Sequence, residues 1–391
     1  MTLSTAAIER LLGRPVSASL TADDRKKLAG QSILVTGAGG SIGSELAREL
    51  AACGPSRLTL VDRSELNLFN IEREIAEKSP AVPLQASLVD VCRARDIWRV
   101  MRQARPAVVY HAAAYKHVTM TERAPAPAAE VNVIGTIETV EAASACGARF
   151  VLISSDKAAA PHSVMGATKR AAELSTLLRA SSVFRPIVVR FGNVLASSGS
   201  VVQLMRERIH AGRPIQLTDT EATRYFMSVG EAAALVIKAD LLAKSPATFW
   251  LDMGRPIRMA DLVTRVLDVE VEAGFPRVPV EIIGLRPGEK RDEVLFDSTV
   301  TLGRTEDERI MVAATTPGDR VRVRRAERLL RRAIDHADAP DVLDLLAGLT
   351  GFSPSAQARR AAGAWSAAGG WEPEGIDFST RAADATRGRV A

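Results

Sequence analysis

Cysteine is scarce in this chain: Cys53, Cys92 and Cys146 stand far apart, with no CxxC pair. An odd, scattered set excludes a disulfide framework and a thiolate zinc site, and reads as reduced, buried thiols. The five histidines, His111, His117, His162, His210 and His336, show no HExxH or related spacing, so no metal is expected. No apolar run approaches the roughly 20 residues of a membrane helix. The opening stretch, MTLSTAAIERLLGR, carries Glu9 where a signal peptide needs an unbroken apolar core. A cytoplasmic protein with no membrane span is therefore expected. Charge of one sign is lacking too: 51 Lys and Arg against 46 Asp and Glu leave +5, too small an excess to point to nucleic acid. There is no internal repeat.

What remains has ordinary globular proportions, 47% hydrophobic and 25% charged over 391 residues, enough to bury a large core without staples. Residues 1–30 read as a helical arm. From Ser32 short apolar runs (SILVT, RLTLVD, VPLQASLVD, AVVYHAAA, RFVLISS) alternate with helical stretches. That alternation predicts an α/β fold, a Rossmann-like doubly wound parallel sheet. The dinucleotide-binding domain is placed at 31–195, completed by about 228–252. A smaller, interleaved substrate-binding part is placed at 196–227 and 253–316, where short elements and turn signals dominate. C-terminal helices follow at 317–353. The basic run 318–332 is read as the solvated face of an amphipathic helix, with Val321, Val323, Leu329 and Leu330 as its apolar positions. Residues 354–391, rich in Ala, Gly and Arg, are read as a flexible tail.

The first chemical motif is VTGAGGSIGSEL. Gly37, Gly40 and Gly43 follow a strand and open a helix at Ser41 and Ile42. Glycine there lets the backbone approach a pyrophosphate, and the helix start supplies N–H groups and a positive dipole end. Asp62 ends the second strand, where a carboxylate can accept the adenosine ribose hydroxyls; this favours NAD. The adjacent Arg63 could stack on adenine or meet an extra phosphate, which keeps NADP open. Asp90, after the third strand, is a candidate for the adenine amino group or an N-cap for the helix that follows. Ala112, Ala113 and Ala114, after the fourth strand, are small enough for a cofactor to pass.

Six motifs in order, TGAGGSIGSE, HAAAYKHV, SSDKAAAPHSVMGATKR, RFGNVLASSGSVV, TRYFMS and GLRPGEK, carry a resemblance. The chain resembles the extended short-chain dehydrogenase/reductases, and more narrowly the CapD-like nucleoside-diphosphate-sugar 4,6-dehydratases of polysaccharide biosynthesis, over roughly residues 8–296. IERLLGRPVS resembles the segment that joins a membrane part to the catalytic part in long members. The resemblance implies a UDP-N-acetylhexosamine substrate, a tightly held NAD and a homo-oligomer. An epimerase and a non-catalytic dinucleotide-binding protein are the alternatives.

Strand ends meet the ligand crevice in such folds, which places Ser155, Asp156 and Lys157 there. By resemblance Asp156 is the acid that protonates the departing hydroxyl and Lys157 the base at sugar carbon 5. Lys169 lies one helical turn after Met165. Most short-chain dehydrogenases have tyrosine at that earlier position as proton acceptor, and a thioether cannot take the role. Asp156 or Lys157 is expected to deprotonate the carbon 4 hydroxyl instead. Lys116, Asn193, Arg224, Arg286 and Glu289 resemble the family's contacts to the nucleotide sugar, with Arg224 and Arg286 as forks for the diphosphate. The stretch around Gly199 is expected to form a loop over the substrate.

Overall fold

The structure, a computed structural model, describes residues 3–195, 197, 199–293, 300–314, 319–336 and 339–368. Apolar runs buried on both faces build a central sheet. Its first six strands in chain order are β1 (Ser32–Thr36), β2 (Arg57–Asp62), β3 (Leu84–Leu88), β4 (Val108–His111), β5 (Arg149–Ile153) and β6 (Ile187–Arg190). They lie side by side as β6-β5-β4-β1-β2-β3, all parallel. Ala247–Leu251 adds in parallel beside β6, and Ile310–Ala314 and Gly303–Arg304 extend that edge antiparallel, giving nine strands among the described residues. Side chains alternate across the sheet: Ile33 and Val35 enter one core, Leu34 the other. This is the doubly wound, Rossmann-like fold. The strand order reverses between β1 and β4, and Thr36 is opposite both Val61 and His111. The carboxyl ends therefore line up around a crevice at the switch point, the place where open α/β sheets bind ligands.

A second, smaller core gathers Met205, Leu217, Phe226 and Leu262 from the helices Val201–His210 and Met259–Glu272 and from short strands. Those strands pair Asn193–Val194 with Phe226–Met227, Thr223–Arg224 with Ile257–Arg258, and Ile215–Leu217 with Val280–Ile282. The N-terminal stretch is two helices, Thr5–Leu12 and Ala22–Leu28, split between the cores: Leu11 and Leu12 join the smaller one, Leu20 and Leu28 the main one.

The C-terminal region departs from its sequence reading in two ways. The tail expected from 354 contains a helix, Ala356–Ala368, whose Ala358 and Ala362 pack against a neighbour carrying Val342 and Leu346. Small side chains allow that approach, and a composition rule does not see it. Residues 369–391 lie outside the described residues. The basic run does form a helix, Arg320–Asp335, but Val323, Leu330 and Ala333 face inward while Val321 is 78% exposed and Leu329 partly so. Among the described residues no helix is long and apolar enough to cross a membrane, and no three His, Cys, Asp or Glu gather as metal ligands. The thiols are free; Cys53 is buried, and Cys92 and Cys146 only half-buried.

Glu231 holds the N-terminal stretch in place. It caps its own helix with Ser228 and accepts from Arg14 (2.7 Å) and Arg309 (2.8 Å). Burial pushes the carboxyl up, but Arg14, Ser228 and Arg309 outweigh it and hold it at about 2, below the ordinary 4.5. Stabilisation from a lowered carboxyl is complete above the unfolded value and is lost as pH falls from 4.5 towards 2. Glu231→Gln should therefore cost about 3 kcal/mol in urea unfolding at pH 7. The gap between variant and wild type should close across that acid window; an equal gap at both ends would contradict this account.

Candidate active site

The glycine turn is shaped by close approach. Gly37 takes φ +64°, and a Cβ there would sit 2.6 Å from the backbone nitrogen of Ala113. The turn and the alanines after β4 are thus in contact, and the Ala112 N–H continues the ladder by donating to the Thr36 carbonyl. Gly43 packs its Cα on the Gly37 carbonyl. Gly40 is the N-cap of Ser41–Ala51 and offers no side-chain acceptor, leaving a glycine-rich, side-chain-uncapped helix start of the kind that receives an anion. Ile42, one residue in, packs against the main core.

Asp62 reaches over this turn: one carboxylate oxygen accepts the Gly39 N–H (2.9 Å), the other the Ser64 N–H (2.8 Å). The Arg63 guanidinium stacks on the Tyr115 ring at 4.6 Å, donates to its hydroxyl and lies 3.7 Å from Asp90. A cavity of about 440 Å³ opens here, lined by Arg63, Ser64, Leu88, Val89, Asp90 and Arg93. Asp90 is not the helix cap: Arg93 takes that position, and the Asp90 carboxylate accepts the Cys92 N–H.

Three strand spacings from β2, about 14 Å, the end of β5 carries the second cluster. Ser155 starts a short turn, Asp156–Ala158, and donates to Asp156 Oδ1 at 2.8 Å. Lys157 Nζ lies 3.1 Å from the same oxygen and 3.3 Å from Glu293 Oε1. The Asp156 side chain is fully buried, and among the described residues its Oδ2 has no hydrogen-bond partner. Gly192 faces that oxygen; a Cβ there would stand 2.9 Å from it. Burial pulls the Lys157 ammonium down, but Asp156 and Glu293 outweigh it and hold the group above the ordinary lysine value.

Behind this turn runs the helix Val164–Leu178, capped by Ser163. Met165 is buried in its first turn. Lys169, also buried, donates to the Ile153 carbonyl at 2.6 Å. Burial lowers it to about 8. Its charge in turn helps burial depress His111, to about 3. That neutral imidazole lies between the hydroxyls of Thr36 (2.8 Å) and Thr136 (3.1 Å). Lys169 and the end of the glycine strand thus share one crevice.

The expected substrate residues are placed less uniformly. The Arg224 guanidinium donates to the carbonyls of Thr223, Lys290 and Arg291, at 2.7, 2.5 and 2.6 Å, and straps the 290–293 segment to the small core. Glu289 closes its own turn by accepting the Arg286 N–H; the Arg286 side chain is exposed. Asn193 pairs through its backbone with Tyr225, and Lys116 is exposed. Gly199 lies against the His117 ring, while residues 196 and 198 beside it lie outside the described residues. The sequence reading missed Glu293, three residues past RPGEK and with no local signal. It also missed Glu122, a buried carboxylate that accepts the Val164 N–H (2.7 Å) and the Ser355 hydroxyl (2.6 Å) beneath Gly288. Glu173 is a third: it pairs with Arg190 under Ser154.

The polysaccharide biosynthesis protein family matches residues 33–315. The chain is 39% identical over 317 residues to the probable polysaccharide biosynthesis protein EpsC of Bacillus subtilis, covering 80% of this chain and 52% of that one. It is 39% identical over 300 residues to the capsular polysaccharide biosynthesis protein CapD of Staphylococcus aureus, covering 75% and 50%. It spans about half the length of these two relatives. The UDP-N-acetylglucosamine 4,6-dehydratase (inverting) of Campylobacter jejuni is 29% identical over 276 residues, 68% of this chain and 78% of that one. Among solved structures, Pen from Bacillus thuringiensis matches with a TM-score of 0.68 at 29% identity, over 75% of this chain and 89% of Pen. UDP-glucose 4-epimerase of Thermus thermophilus in complex with NAD matches with a TM-score of 0.58 at 25% identity, over 67% and 89%.

Lys169 makes one outcome measurable without any ligand. Its lowered value means the unfolded chain binds more protons between pH 8 and 10.5, so stability rises with pH across that window. Lys169→Met should stabilise the free protein at pH 7 by roughly 1–2 kcal/mol, after loss of the Ile153 hydrogen bond. Thermal melts at pH 7 and pH 10.5 check it. The gain should vanish at the higher pH, and a variant less stable at both would refute it.

Proposed function

The chain belongs to the polysaccharide biosynthesis protein family, and on that footing we propose that it is a nucleotide-sugar 4,6-dehydratase. Its substrate is a UDP-N-acetylhexosamine, UDP-N-acetylglucosamine in the first instance, and its product the 4-keto-6-deoxy sugar. The observation that carries this reading is the Asp156–Lys157 pair, a fully buried carboxylate against a half-buried ammonium, with Asp156 Oδ2 left open beneath Gly192. An acid and a base side by side in a dry corner are what elimination of water across carbons 5 and 6 requires.

The residues present fit a dinucleotide. The turn of Gly37, Gly40 and Gly43, with Ser41 and Ile42, would hold the pyrophosphate. Asp62 would hold the adenosine ribose, Arg63 and Asp90 the adenine, and Ala112, Ala113, Ala114 and Lys169 the nicotinamide half. When bound, the nicotinamide accepts hydride from sugar carbon 4 and returns it to carbon 6. NAD is favoured over NADP because Asp62 holds the turn through one oxygen, on the Gly39 N–H, and Arg63 is engaged by Tyr115 and Asp90.

The chain's own groups move the protons. Met165 has no basic atom, so Asp156 Oδ2 takes the carbon 4 hydroxyl proton and later delivers it to the departing hydroxyl. Ser155 holds Asp156 by its other oxygen, and Lys157 takes the proton at carbon 5. Arg286, Asn193 and Lys116 are the contacts to the diphosphate and sugar. Arg224 joins them by exchanging carbonyl partners for phosphate oxygens, and Glu289 by turning to the nucleotide ribose.

Purified protein incubated with UDP-N-acetylglucosamine should give a product lighter by one water, with a carbon 6 methyl signal in the proton spectrum. An unchanged mass with inverted stereochemistry would make it an epimerase instead. Asp156→Asn and Lys157→Ala should each lower turnover roughly 10²- to 10⁴-fold; near-normal turnover in both would dismiss the assignment. Cofactor released on denaturation should chromatograph as NAD, and NADP in its place would reverse the preference.

A further inference from the structure

Lys157 has a second carboxylate. Glu293 lies in the segment that Arg224 straps to the small core, and its side chain is 6% exposed. Its Oε1 approaches Lys157 Nζ almost as closely as Asp156 does, 3.3 against 3.1 Å. Among the described residues the charged groups around it are Asp156, Lys157, Arg224 Nε at 3.9 Å, and Lys290, whose Nζ donates to the Ala160 carbonyl. At rest Lys157 is thus an ammonium between two carboxylates.

That resting state leaves the reaction proposed above one proton acceptor short. As hydride leaves carbon 4, the hydroxyl O–H bond breaks and its proton goes to Asp156. Asp156 is then a neutral acid, ready for the departing hydroxyl. Lys157 is still an ammonium and cannot take the carbon 5 proton. A tyrosine could hold the first proton elsewhere, but Met165 cannot. Neutralising Asp156 removes one of the two anions that hold the Lys157 proton, and the remaining basic group in contact with it is Glu293. We propose that Glu293 positions Lys157 and stores a proton for it: it accepts the proton Lys157 sheds before acting at carbon 5, and gives it back at the end of the cycle.

The steps then balance. Lys157, as the free amine, takes the carbon 5 proton; the C–H electron pair becomes the bond between carbons 5 and 6. The carbon 6–oxygen bond breaks, and the Asp156 proton leaves with that oxygen as water. With hydride supplied at carbon 6, as a bound nicotinamide would do, the Lys157 ammonium protonates carbon 5. Glu293 restores the Lys157 proton, so all three groups end as they began. The water carries away the proton first taken from the carbon 4 hydroxyl. A diphosphate that draws Arg224 away would remove a cation from beside Glu293 and make it the stronger base, coupling substrate binding to the store.

This inference rests on the dehydratase reading, and Glu293→Gln, near in shape, separates the two. Three measurements on the full chain suffice: reduced-nicotinamide absorbance, deuterium entering carbon 5 from heavy water, and an NMR titration of ¹³C-labelled Lys157 identified with Lys157→Ala. Glu293→Gln should still oxidise carbon 4 and accumulate reduced nicotinamide. Near neutral pH it should lose carbon 5 exchange and product formation roughly 10²-fold; the Lys157 titration should move to lower pH, and the lost rate should return above that titration, where Lys157 is already the free amine. Glu293→Asp should recover part of the rate. Wild-type dehydration matched by Glu293→Gln, with an unmoved titration, would overturn the role of Glu293 alone. Equal loss of oxidation, exchange and cofactor binding would mark it as merely structural and also overturn it. Oxidation without water loss in the wild type would fell the dehydratase reading and the store together.

Discussion

The half-buried Lys157 ammonium sits between the buried Asp156 and Glu293 carboxylates, and much of the surrounding structure serves to keep it there. Charges taken out of water are tolerated only when partners replace the hydration, and removing one partner is far worse than never burying the pair. Asp156 comes from the end of β5, and Glu293 from a segment beyond the small core. The geometry therefore exists only while the two parts are docked. Arg224, bound to three backbone carbonyls, and Lys290, bound to the Ala160 carbonyl, are the stitches that dock them. Glu122 closes the same seam from below, holding the start of the Val164–Leu178 helix and the Ser355 hydroxyl while Gly288 packs on it.

The sheet contributes rigidity and alignment. Parallel strands buried on both faces end in register at Thr36, Val61 and His111, so the residues after them enter the crevice at one level. The glycine turn, the alanines and the Asp156–Lys157 turn are three such exits. A second buried pair, Glu173 with Arg190 (2.5 Å), lies under Ser154 and directs that hydroxyl inward, leaving Ser155 to face Asp156. The two adjacent serines thus have different tasks, set by whether each side chain points into the core network or the crevice.

The elements outside the sheet brace it. The Arg320–Asp335 helix is tied to the Val164–Leu178 helix through Arg179, which bonds Glu327 (2.8 Å) and Glu141 (2.6 Å). At the other end Glu231 joins Arg14 and Arg309, so the segment after the first helix, the strand Ile310–Ala314 and the helix Val229–Leu242 of the main core share one anchor. These are partly buried charge networks, in which each member is satisfied by several others.

By itself the sequence determined the alternation of strands and helices, the glycine turn at the first strand's end, Asp62 at the second and the adjacency of Asp156 and Lys157. Each is carried by neighbours in the chain, by side-chain period or by turn chemistry, so a short window contains it. Tertiary structure decided the rest. Glu293 has nothing local to mark it, because its partner is on another strand end. Arg224 and Glu289 looked like free ligands for phosphate and ribose, yet in the fold they bond backbone carbonyls and an N–H of the turns beside them, because the folded chain brings those groups within reach. The inward turn of Val323 rather than Val321, and the packing of Ala358 and Ala362, were likewise settled by which face met a neighbour. Composition measures what a side chain prefers; only the folded chain settles what it touches.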